Sequence, residues 1–326
     1  MKRRTLGKSG FRVSEVGLGC WQLGGDFGPV EDERAQAVLE AADAAGINFW
    51  DTADVYGAGT SERHIASYRR THDTDPIVAT KVGRDGNLYP DKYTKERMRG
   101  NIEGSAERLG VESLDLVQLH CIPPEVLYAG DVTGWMDDFQ AEGLIQAWGA
   151  SVETLEEARF AAALPGCTSI QLIFNVFRQN AIRDLFPLAV ENDVGIIVRL
   201  PLASGVLAGK MTADQSFAET DHRHYNRHGE AFSQGETFSG VPFERALDAV
   251  ERMRPWVPEG MTMAQMAIRW ILDQPAVSTV IAGASRPSQV RDNAAAADAA
   301  HLPADIHRNL AELYRREVEP HIVVPI

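Results

Sequence analysis

The segment INFWDTADVYG, residues 47–57, runs from an apolar stretch directly into two acids and a tyrosine. Residues 47–52 predict a buried strand, because the apolar residues follow one another without polar alternation. Asp51, Asp54 and Tyr56 stand at or just beyond its carboxyl end. In barrels of parallel strands the functional side chains lie at that end of each strand. The segment therefore predicts both a parallel sheet and one part of a site.

Seven further apolar runs of this kind are distributed along the chain, and segments with the 3.6-residue periodicity of helices separate them. Eight strand–helix units in 326 residues predict a (β/α)8 TIM barrel of the α/β class, as a single domain over residues 1–326. The eight predicted strands are 14–20, 47–52, 76–82, 114–120, 145–151, 169–175, 194–200 and 278–283.

Three segments predict additions to the barrel. Residues 3–15 predict an N-terminal β-hairpin that closes the barrel floor. Residues 203–243, rich in Gly, Ser, His and Asp, form a connection longer than an ordinary loop, and such connections are more often functional than not. The alanine-rich stretch 294–300 belongs to a helix, and the chain beyond the last strand predicts extra C-terminal helices.

A doubly wound dinucleotide-binding fold is the alternative, and the glycine-rich stretch GLGCWQLGG at residues 17–25 tests it. The fingerprint G-x-G-x-x-G requires a third glycine where this chain has Gln22. A helix should also open at once, whereas glycines continue here. The barrel is the better interpretation.

The formal net charge is −14, and the longest basic block is KRR at residues 2–4. A chain of this charge attracts nucleic acid or anionic membranes weakly, so neither is expected as a partner. No run approaches the roughly 18 apolar residues of a membrane span, and no apolar segment of a secretory signal follows the basic start. The three cysteines have neither metal-ligand nor disulfide spacing, which favours a cytoplasmic location.

Polar side chains end three successive predicted strands: Asp51 with Tyr56 nearby, Lys81, and His120. Each alone has an ordinary explanation, but the barrel brings all of them to one rim. The Lys81 ammonium would lower the pKa of the Tyr56 phenol, while Asp51 would keep the lysine charged. His120 would orient a substrate oxygen. The set predicts protonation of a carbonyl, and since no metal motif or protein nucleophile suits carbonyl reduction, the hydride has to come from a cofactor.

With these residues the chain resembles the aldo-keto reductase family over essentially its full length, and more distantly the potassium-channel β subunits that share its fold. The resemblance implies that Asp51, Tyr56, Lys81 and His120 form a catalytic tetrad, with NADPH, or less often NADH, bound in an extended pose across the barrel mouth. It is carried by VGLGCWQLGG (16–25), DTADVYGAGTSE (51–62), ATK (79–81), SLDLVQLH (113–120), PLASGVLAGK (201–210) and VIAGASRPSQVRDN (280–293).

The same resemblance implies a cofactor site with three parts. Ser151 and Gln171 would hold the nicotinamide carboxamide, the segment 201–210 would fold over the pyrophosphate, and the stretch 283–293 would receive the adenosine. Arg286 would face a 2′-phosphate and so favours NADPH. The implied cofactor residues are Ser151, Gln171, Arg199, Leu202, Ser204, Gly205, Leu207, Lys210, Gly283, Ser285, Arg286, Gln289 and Asn293.

The chain departs from the family pattern at two positions that affect the nicotinamide. Val152 stands where many members have an asparagine, and Arg199 where many have an aromatic residue that stacks on the ring. A guanidinium plane also stacks, so Arg199 is retained in the predicted cofactor site.

The remaining candidates are loop residues. Trp21, Phe27, Tyr89 and Cys121 would ring the barrel mouth as a substrate wall, although plain packing explains them equally well. The histidines 222, 224 and 228 raise the alternative of a metal enzyme. Their flexible, arginine-rich segment is unlike a zinc site, so a lid or substrate role is favoured and no metal is expected.

The implied function is NADPH-dependent reduction of an aldehyde or ketone to the alcohol, with Tyr56 as proton donor. Two alternatives stay open: an NAD(P)-linked sugar or alcohol dehydrogenase that works oxidatively, and a cofactor-binding regulatory subunit with slow turnover. The expected partner is a small carbonyl compound. The sequence indicates neither its identity nor the oligomeric state.

Overall fold

In the computed structural model of the chain, which describes residues 1–25 and 30–325, eight parallel strands close into a barrel. The barrel order is β10-β3-β4-β5-β6-β7-β8-β9. All eight predicted strands are present, with bounds that differ by a few residues, so the predicted (β/α)8 fold is confirmed. The barrel strands are β3 (Val16–Gly19), β4 (Phe49–Asp51), β5 (Ile77–Val82), β6 (Leu114–His120), β7 (Ile145–Ser151), β8 (Cys167–Ile173), β9 (Gly195–Arg199) and β10 (Val277–Gly283).

Helices surround the strands, and several begin where the sequence offers a cap. Thr94, Thr154 and Thr262 each accept a hydrogen bond from a backbone N–H of the first turn, which fixes where the chain enters the helix. The helices are α1 (Asp32–Ala44), α2 (Thr60–Thr71), α3 (Lys95–Leu109), α4 (Pro124–Ala129), α5 (Asp131–Ala141), α6 (Leu155–Ala162), α7 (Ala181–Asp184), α8 (Phe186–Glu191), α9 (His222–Tyr225), α10 (Phe243–Met253), α11 (Met263–Leu272), α12 (Pro287–Asp298) and α13 (Ala304–Leu313).

The predicted N-terminal hairpin is also confirmed: β1 (Arg3–Thr5) pairs antiparallel with β2 (Arg12–Ser14). Leu6, at the start of the turn, is fully buried against residues inside the barrel such as Phe49 and Leu116. Arg4 donates hydrogen bonds to backbone carbonyls before and within β10. The hairpin therefore closes the amino-terminal end of the barrel and leaves the other end for a site.

The long connection after β9 is folded into short turns around α9. The chain's end packs on it, because the Val323 N–H donates to the Gly240 carbonyl at 3.0 Å. Arg178, in the loop after β8, holds the same end through a hydrogen bond of 2.8 Å to the Pro325 carbonyl. The extra helix α13 precedes this contact. The carboxyl-terminal segment and the connection thus support each other at the open end of the barrel.

All three cysteines are buried free thiols. Burial raises the pKa of each thiol above its ordinary value, and for Cys121 and Cys167 to about 12. Within the described ranges no helix combines the length and the apolar character needed to cross a membrane.

Candidate active site

A cleft of about 420 Å³ lies at the carboxyl ends of the strands and continues under the long connection. Asp51 ends β4, His120 ends β6, and Tyr56 follows β4 in the loop that leads to α2. These three residues line the cleft, whereas Lys81, near the end of β5, is buried beneath it. The parallel register brings them together, since Asp51 pairs with Ala79 two residues before Lys81.

Lys81 connects the predicted tetrad. Its Nζ lies 2.5 Å from Asp51 Oδ1 and 3.4 Å from the Tyr56 hydroxyl, and it donates a further hydrogen bond of 2.8 Å to the Thr52 carbonyl. Both charged side chains are almost completely buried. Burying two charges is costly unless they are paired and hydrogen-bonded, and here they are both. The ion pair and the hydrogen bonds hold the ammonium directly beside the phenol.

Two amides complete the shell around Asp51. Gln171 Nε2 donates to Asp51 Oδ2 at 2.7 Å, and Gln118 Nε2 donates to the same oxygen at 3.1 Å. Gln171 also donates to Gln118 Oε1 at 3.1 Å, so the two amides orient each other. Sequence reasoning passed over Gln118, although a glutamine inside the apolar strand LDLVQLH is a detectable signal, because a buried amide needs partners.

The electrostatics of Tyr56 differ from the sequence-based expectation. Burial raises the pKa of Tyr56 to about 12; Lys81 opposes this rise, and the charges of Asp51 and Glu236 add to it. Burial lowers the pKa of Lys81, but Asp51 and Tyr56 outweigh burial and leave it above its ordinary value. At neutral pH the pair is therefore an ammonium and a neutral phenol, which is a proton donor already hydrogen-bonded to a cation.

His120 faces Tyr56 edge-on, with ring centroids 5.8 Å apart. Burial, and then the charges of Lys81, Arg84 and Arg199, hold the pKa of His120 well below its usual value, so the imidazole is neutral at physiological pH. Its Nδ1 is buried and has no hydrogen-bond partner among the described residues. With its proton on Nε2, the ring would donate to an oxygen held next to Tyr56.

Most of the predicted cofactor residues line the cleft. Ser151 and Gln171, at equivalent positions of β7 and β8, place a hydroxyl and an amide oxygen 3.5 Å apart. The segment after β9 contributes backbone with positive φ at Ser204 and Gly205. The predicted residues that line the cleft are Ser151, Gln171, Arg199, Leu202, Ser204, Gly205, Gly283, Ser285 and Gln289.

Four predicted cofactor residues lie outside the cleft lining. Leu207 is fully buried in the core, and Lys210 is exposed. Arg286 is exposed as the residue that precedes α12. Asn293 is buried and its amide lies 3.5 Å from the Gly283 carbonyl, so it supports the loop from beneath.

The far end of the cleft contains an arginine that sequence reasoning missed. Arg34, in the first turn of α1, lines the cleft and donates from Nε to the Ser285 carbonyl at 2.7 Å. Gln289 accepts from the backbone N–H and the hydroxyl of Ser285, which fixes this loop. Within the described ranges neither Arg34 nor Arg286 forms an ion pair. No local signal marks Arg34, because an arginine on an exposed helix turn is common.

Beside Tyr56 the cleft wall carries a cluster of two arginines and two carboxylates, Arg84, Glu153, Arg199 and Glu236, which we term the four-charge cluster. Arg199 Nη1 lies 3.3 Å from Glu236 Oε1, and its Nη2 lies 3.5 Å from Glu153 Oε2. Arg84 Nη2 lies 3.4 Å from Glu153 Oε1, and its Nη1 lies 3.9 Å from Glu236 Oε1. Burial raises the pKa of Glu236, and Glu153 adds to the rise, whereas Arg199 and Arg84 oppose it. For Glu153 the two arginines outweigh burial and lower the pKa.

Two of the four residues predicted for the substrate wall line the cleft. Trp21 lines the cleft and stacks on Tyr56 with ring centroids 5.8 Å apart, and Cys121 lines it next to Ser151. Tyr89 is 41 % exposed and lies outside the cleft lining, in a turn after β5 where its N–H donates to the Asp85 carbonyl. Phe27 falls outside the described residues.

His222 alone of the three loop histidines reaches the cleft, where it packs against Trp21 at 5.4 Å. Among the described residues, the group with metal-ligand chemistry is instead Cys121, Glu153 and Glu236. Arginines already contact both of these carboxylates, and burial raises the pKa of the Cys121 thiol to about 12, which opposes the thiolate that a metal would bind.

A closed parallel barrel with a buried lysine between a carboxylate and a cleft-facing tyrosine defines a barrel oxidoreductase. The family model described as "Aldo/keto reductase family" matches residues 15–315. The chain belongs to this family, whose members are NAD(P)H-dependent oxidoreductases.

Proteins similar to this chain have different described functions. The oxidoreductase YqkF of Bacillus subtilis is 30% identical over 309 residues, covering 93% of each chain. A probable voltage-gated potassium channel subunit beta of Oryza sativa is 30% identical over 319 residues, covering 91% of this chain and 92% of that protein. The solved glycerol dehydrogenase AKR11B4 of Gluconobacter oxydans is 27% identical with a TM-score of 0.77, covering 97% of this chain and 94% of the other.

Proposed function

We propose that the protein reduces an aldehyde or ketone to the alcohol with NADPH. The observation that carries this proposal is the position of Lys81 Nζ, held by Asp51 at 2.5 Å and placed 3.4 Å from a Tyr56 hydroxyl that faces the cleft. The phenol keeps its proton until a stronger base forms next to it. An alkoxide produced from a carbonyl is such a base.

The residues of the cleft suit the cofactor that the family uses. Ser151 and the Gln171 amide oxygen offer a donor and an acceptor to a carboxamide, and Arg34 with Ser285 offers cationic and hydroxyl donors to a phosphate at the far end. Bound NADPH would supply the hydride. The protein's own contribution is proton delivery from Tyr56, orientation of the carbonyl oxygen by neutral His120, and retention of the positive charge on Lys81.

The direct test is NADPH oxidation with 4-nitrobenzaldehyde, an activated carbonyl. We expect turnover by the wild type and a loss of about a hundredfold or more in Tyr56→Phe, since positioned general acids contribute on that scale. Tyr128→Phe, at an exposed tyrosine on α4, is the control and should match the wild type. Near wild-type rates in Tyr56→Phe would show that another group delivers the proton.

Oxidation of a polyol is the second candidate, because the glycerol dehydrogenase resembles this chain over nearly its full length. The same tetrad would then accept the alcohol proton on a Tyr56 phenolate. Rates with NADP⁺ and glycerol, compared with those of aldehyde reduction at the same pH, separate the two directions. NADPH binding without turnover in either direction would instead favour a regulatory subunit.

A further inference from the structure

Glu236 presents a carboxylate to the active-site cleft although it belongs to the long connection and not to the barrel. The Ser204 hydroxyl donates to the Glu236 carbonyl at 2.9 Å and accepts from the Phe238 N–H at 3.1 Å. The turn Gln234–Glu236 begins at Ser233, whose hydroxyl accepts from a backbone N–H of that turn. These bonds fix the backbone, so the carboxylate occupies a defined place in the wall.

The cations around Glu236 are already neutralised. Arg199 contacts Glu236 through Nη1, and through Nη2 it contacts Glu153 and donates to the Val152 carbonyl at 3.1 Å. Its remaining Nε is buried, so a ligand in the cleft does not reach it. Arg84 bridges the same two carboxylates from the other side. Two arginines thus match the two carboxylates of this wall. A third arginine, Arg178, contacts the Glu153 carbonyl at 3.4 Å but lies outside the cleft lining.

The other ionisable groups of this wall do not alter the balance. Arg223 is held by Asp221 through two bonds of 2.9 and 2.5 Å, so the two charges cancel. Burial lowers the pKa of His222 to about 4, which leaves it neutral. Arg34, which forms no ion pair with any described residue, belongs to the opposite end of the cleft, at Ser285. Among the described residues, the charged groups next to Tyr56 are therefore two ion pairs, Asp51 with Lys81 and Glu236 with Arg199, and Lys81 is buried beneath the cleft.

We propose that Glu236 is a specificity residue, which admits uncharged, hydroxyl-bearing carbonyl substrates and rejects substrates that carry a carboxylate. The inference rests on the proposed carbonyl reduction. A substrate carboxylate in this wall meets the Glu236 carboxylate, while both Nη groups of Arg199 are already engaged, and such juxtaposition of like charges is strongly unfavourable. A substrate hydroxyl can donate a hydrogen bond to the Glu236 carboxylate, and it brings no second charge into the wall.

The test uses two aldehydes of similar size: methyl 4-formylbenzoate, which is neutral, and 4-carboxybenzaldehyde, which is anionic at neutral pH. The ester activates its aldehyde more than the carboxylate does, and this intrinsic difference cancels when the preferences of the wild type and a variant are compared. The wild type should prefer the neutral ester in kcat/KM. In Glu236→Gln, which keeps the shape and removes the charge, we expect this preference to fall by about tenfold or more, since discrimination is a difference between the two transition-state affinities.

Glu153→Gln is the matched control, because it removes the same charge from the four-charge cluster at a residue that does not line the cleft. We expect it to change the preference by less than about threefold, since more distant charges interact less. An equal change in both variants would show that the net charge of the cluster discriminates, and would overturn the assignment to Glu236. So would an unchanged preference in a folded Glu236→Gln variant, verified by circular dichroism.

A binding measurement separates this inference from the proposed reaction. Calorimetric titration with benzoate and with its neutral analogue benzamide needs no turnover. If Glu236→Gln binds benzoate about tenfold more tightly while benzamide affinity is unchanged, the inference holds even where no aldehyde is reduced. If the wild type binds benzoate and benzamide equally well, the inference fails even where reduction is rapid.

Discussion

At Tyr56, burial and a neighbouring ammonium act on one phenol in opposite directions, and burial dominates. The pKa of about 12 means that the phenol is protonated across the physiological range. Protonated tyrosine serves reduction, whereas oxidation of an alcohol requires the phenolate. The direction of reaction is therefore coupled to pH through this residue.

The pH dependence follows with a definite sign. Because the required form for reduction lies below the Tyr56 pKa, kcat/KM for reduction should stay flat from about pH 6 to about pH 9, while that for alcohol oxidation rises steadily with pH. Lys81→Met should shift the oxidation limb to higher pH, since the ammonium lowers the tyrosine pKa. Initial-rate profiles in both directions measure this. A reduction limb that falls near neutral pH would point to a different acid.

Arg34 supports a prediction about cofactor choice. Arg34→Gln should weaken NADPH binding about tenfold and leave NADH binding nearly unchanged, because only NADPH carries the 2′-phosphate that a charge-assisted hydrogen bond would reach. Fluorescence titration of the two reduced cofactors gives both Kd values.

The control for Arg34 is Arg291→Gln, which removes an exposed positive charge from α12 outside the cleft lining. Equal weakening of NADPH and NADH in Arg34→Gln would indicate instead that Arg34 only supports the Ser285 loop.

At the scale of elements, the loop after β4 depends on one glycine. Gly57 has a φ of 56°, and a Cβ there would lie 2.0 Å from the Gly24 carbonyl oxygen. Gly46 also has a positive φ, 73°, but a Cβ there meets nothing within 4 Å. At both positions the backbone has a conformation that residues with side chains rarely adopt. The two positions differ in the space available to an added Cβ.

Gly57→Ala should therefore destabilise the protein by about 2–4 kcal/mol, against about 1 kcal/mol for Gly46→Ala, where only the backbone conformation is unfavourable. Urea unfolding measures both values. Because Gly57 directly follows Tyr56, kcat should fall in Gly57→Ala alone. Equal losses of stability would mean that the Gly24 segment moves aside without cost.

The secondary-structure elements also show how much of the fold the sequence pattern predicts. Apolar runs located all eight barrel strands, because buried parallel strands have a continuous apolar pattern. The stretch 181–191 has the periodicity of a single helix, yet the chain forms α7 and α8, since Pro187 lacks the N–H that a continuous helix needs. Strand ends likewise located the four residues of the predicted tetrad, which the structure brings together at the cleft.

The parts of the cleft that sequence reasoning missed come from elements whose placement is tertiary. Glu236 reaches the wall through hydrogen bonds between distant turns, and Arg34 reaches the loop after β10 because α1 packs beside α12. Neither contact leaves a local pattern. Arg286, which the resemblance favours for the 2′-phosphate, is exposed and lies outside the cleft lining.

For the whole molecule, the barrel floor and the site are at opposite ends, so stability and function should separate. Leu6 is completely buried in the floor. Leu6→Ala should lower the free energy of unfolding by about 3 kcal/mol through lost burial and a residual cavity, while the NADPH Kd stays unchanged. Val190→Ala, at a side chain 67 % exposed, is the control and should change neither. A weakened Kd in Leu6→Ala would show that the floor transmits strain to the mouth.

Because its cysteines are buried, the protein should tolerate the aldehydes that we propose as its substrates. Reactive aldehydes form adducts with thiolates, so a protein that processes them is at risk from its own substrates. Here every thiol is enclosed and stays protonated at physiological pH, because burial raises its pKa. Even Cys121, which borders the cleft, carries a protonated thiol, and the nucleophilic form of cysteine is the thiolate. The enzyme should therefore keep its activity through prolonged contact with electrophilic carbonyl compounds that inactivate thiol-dependent enzymes.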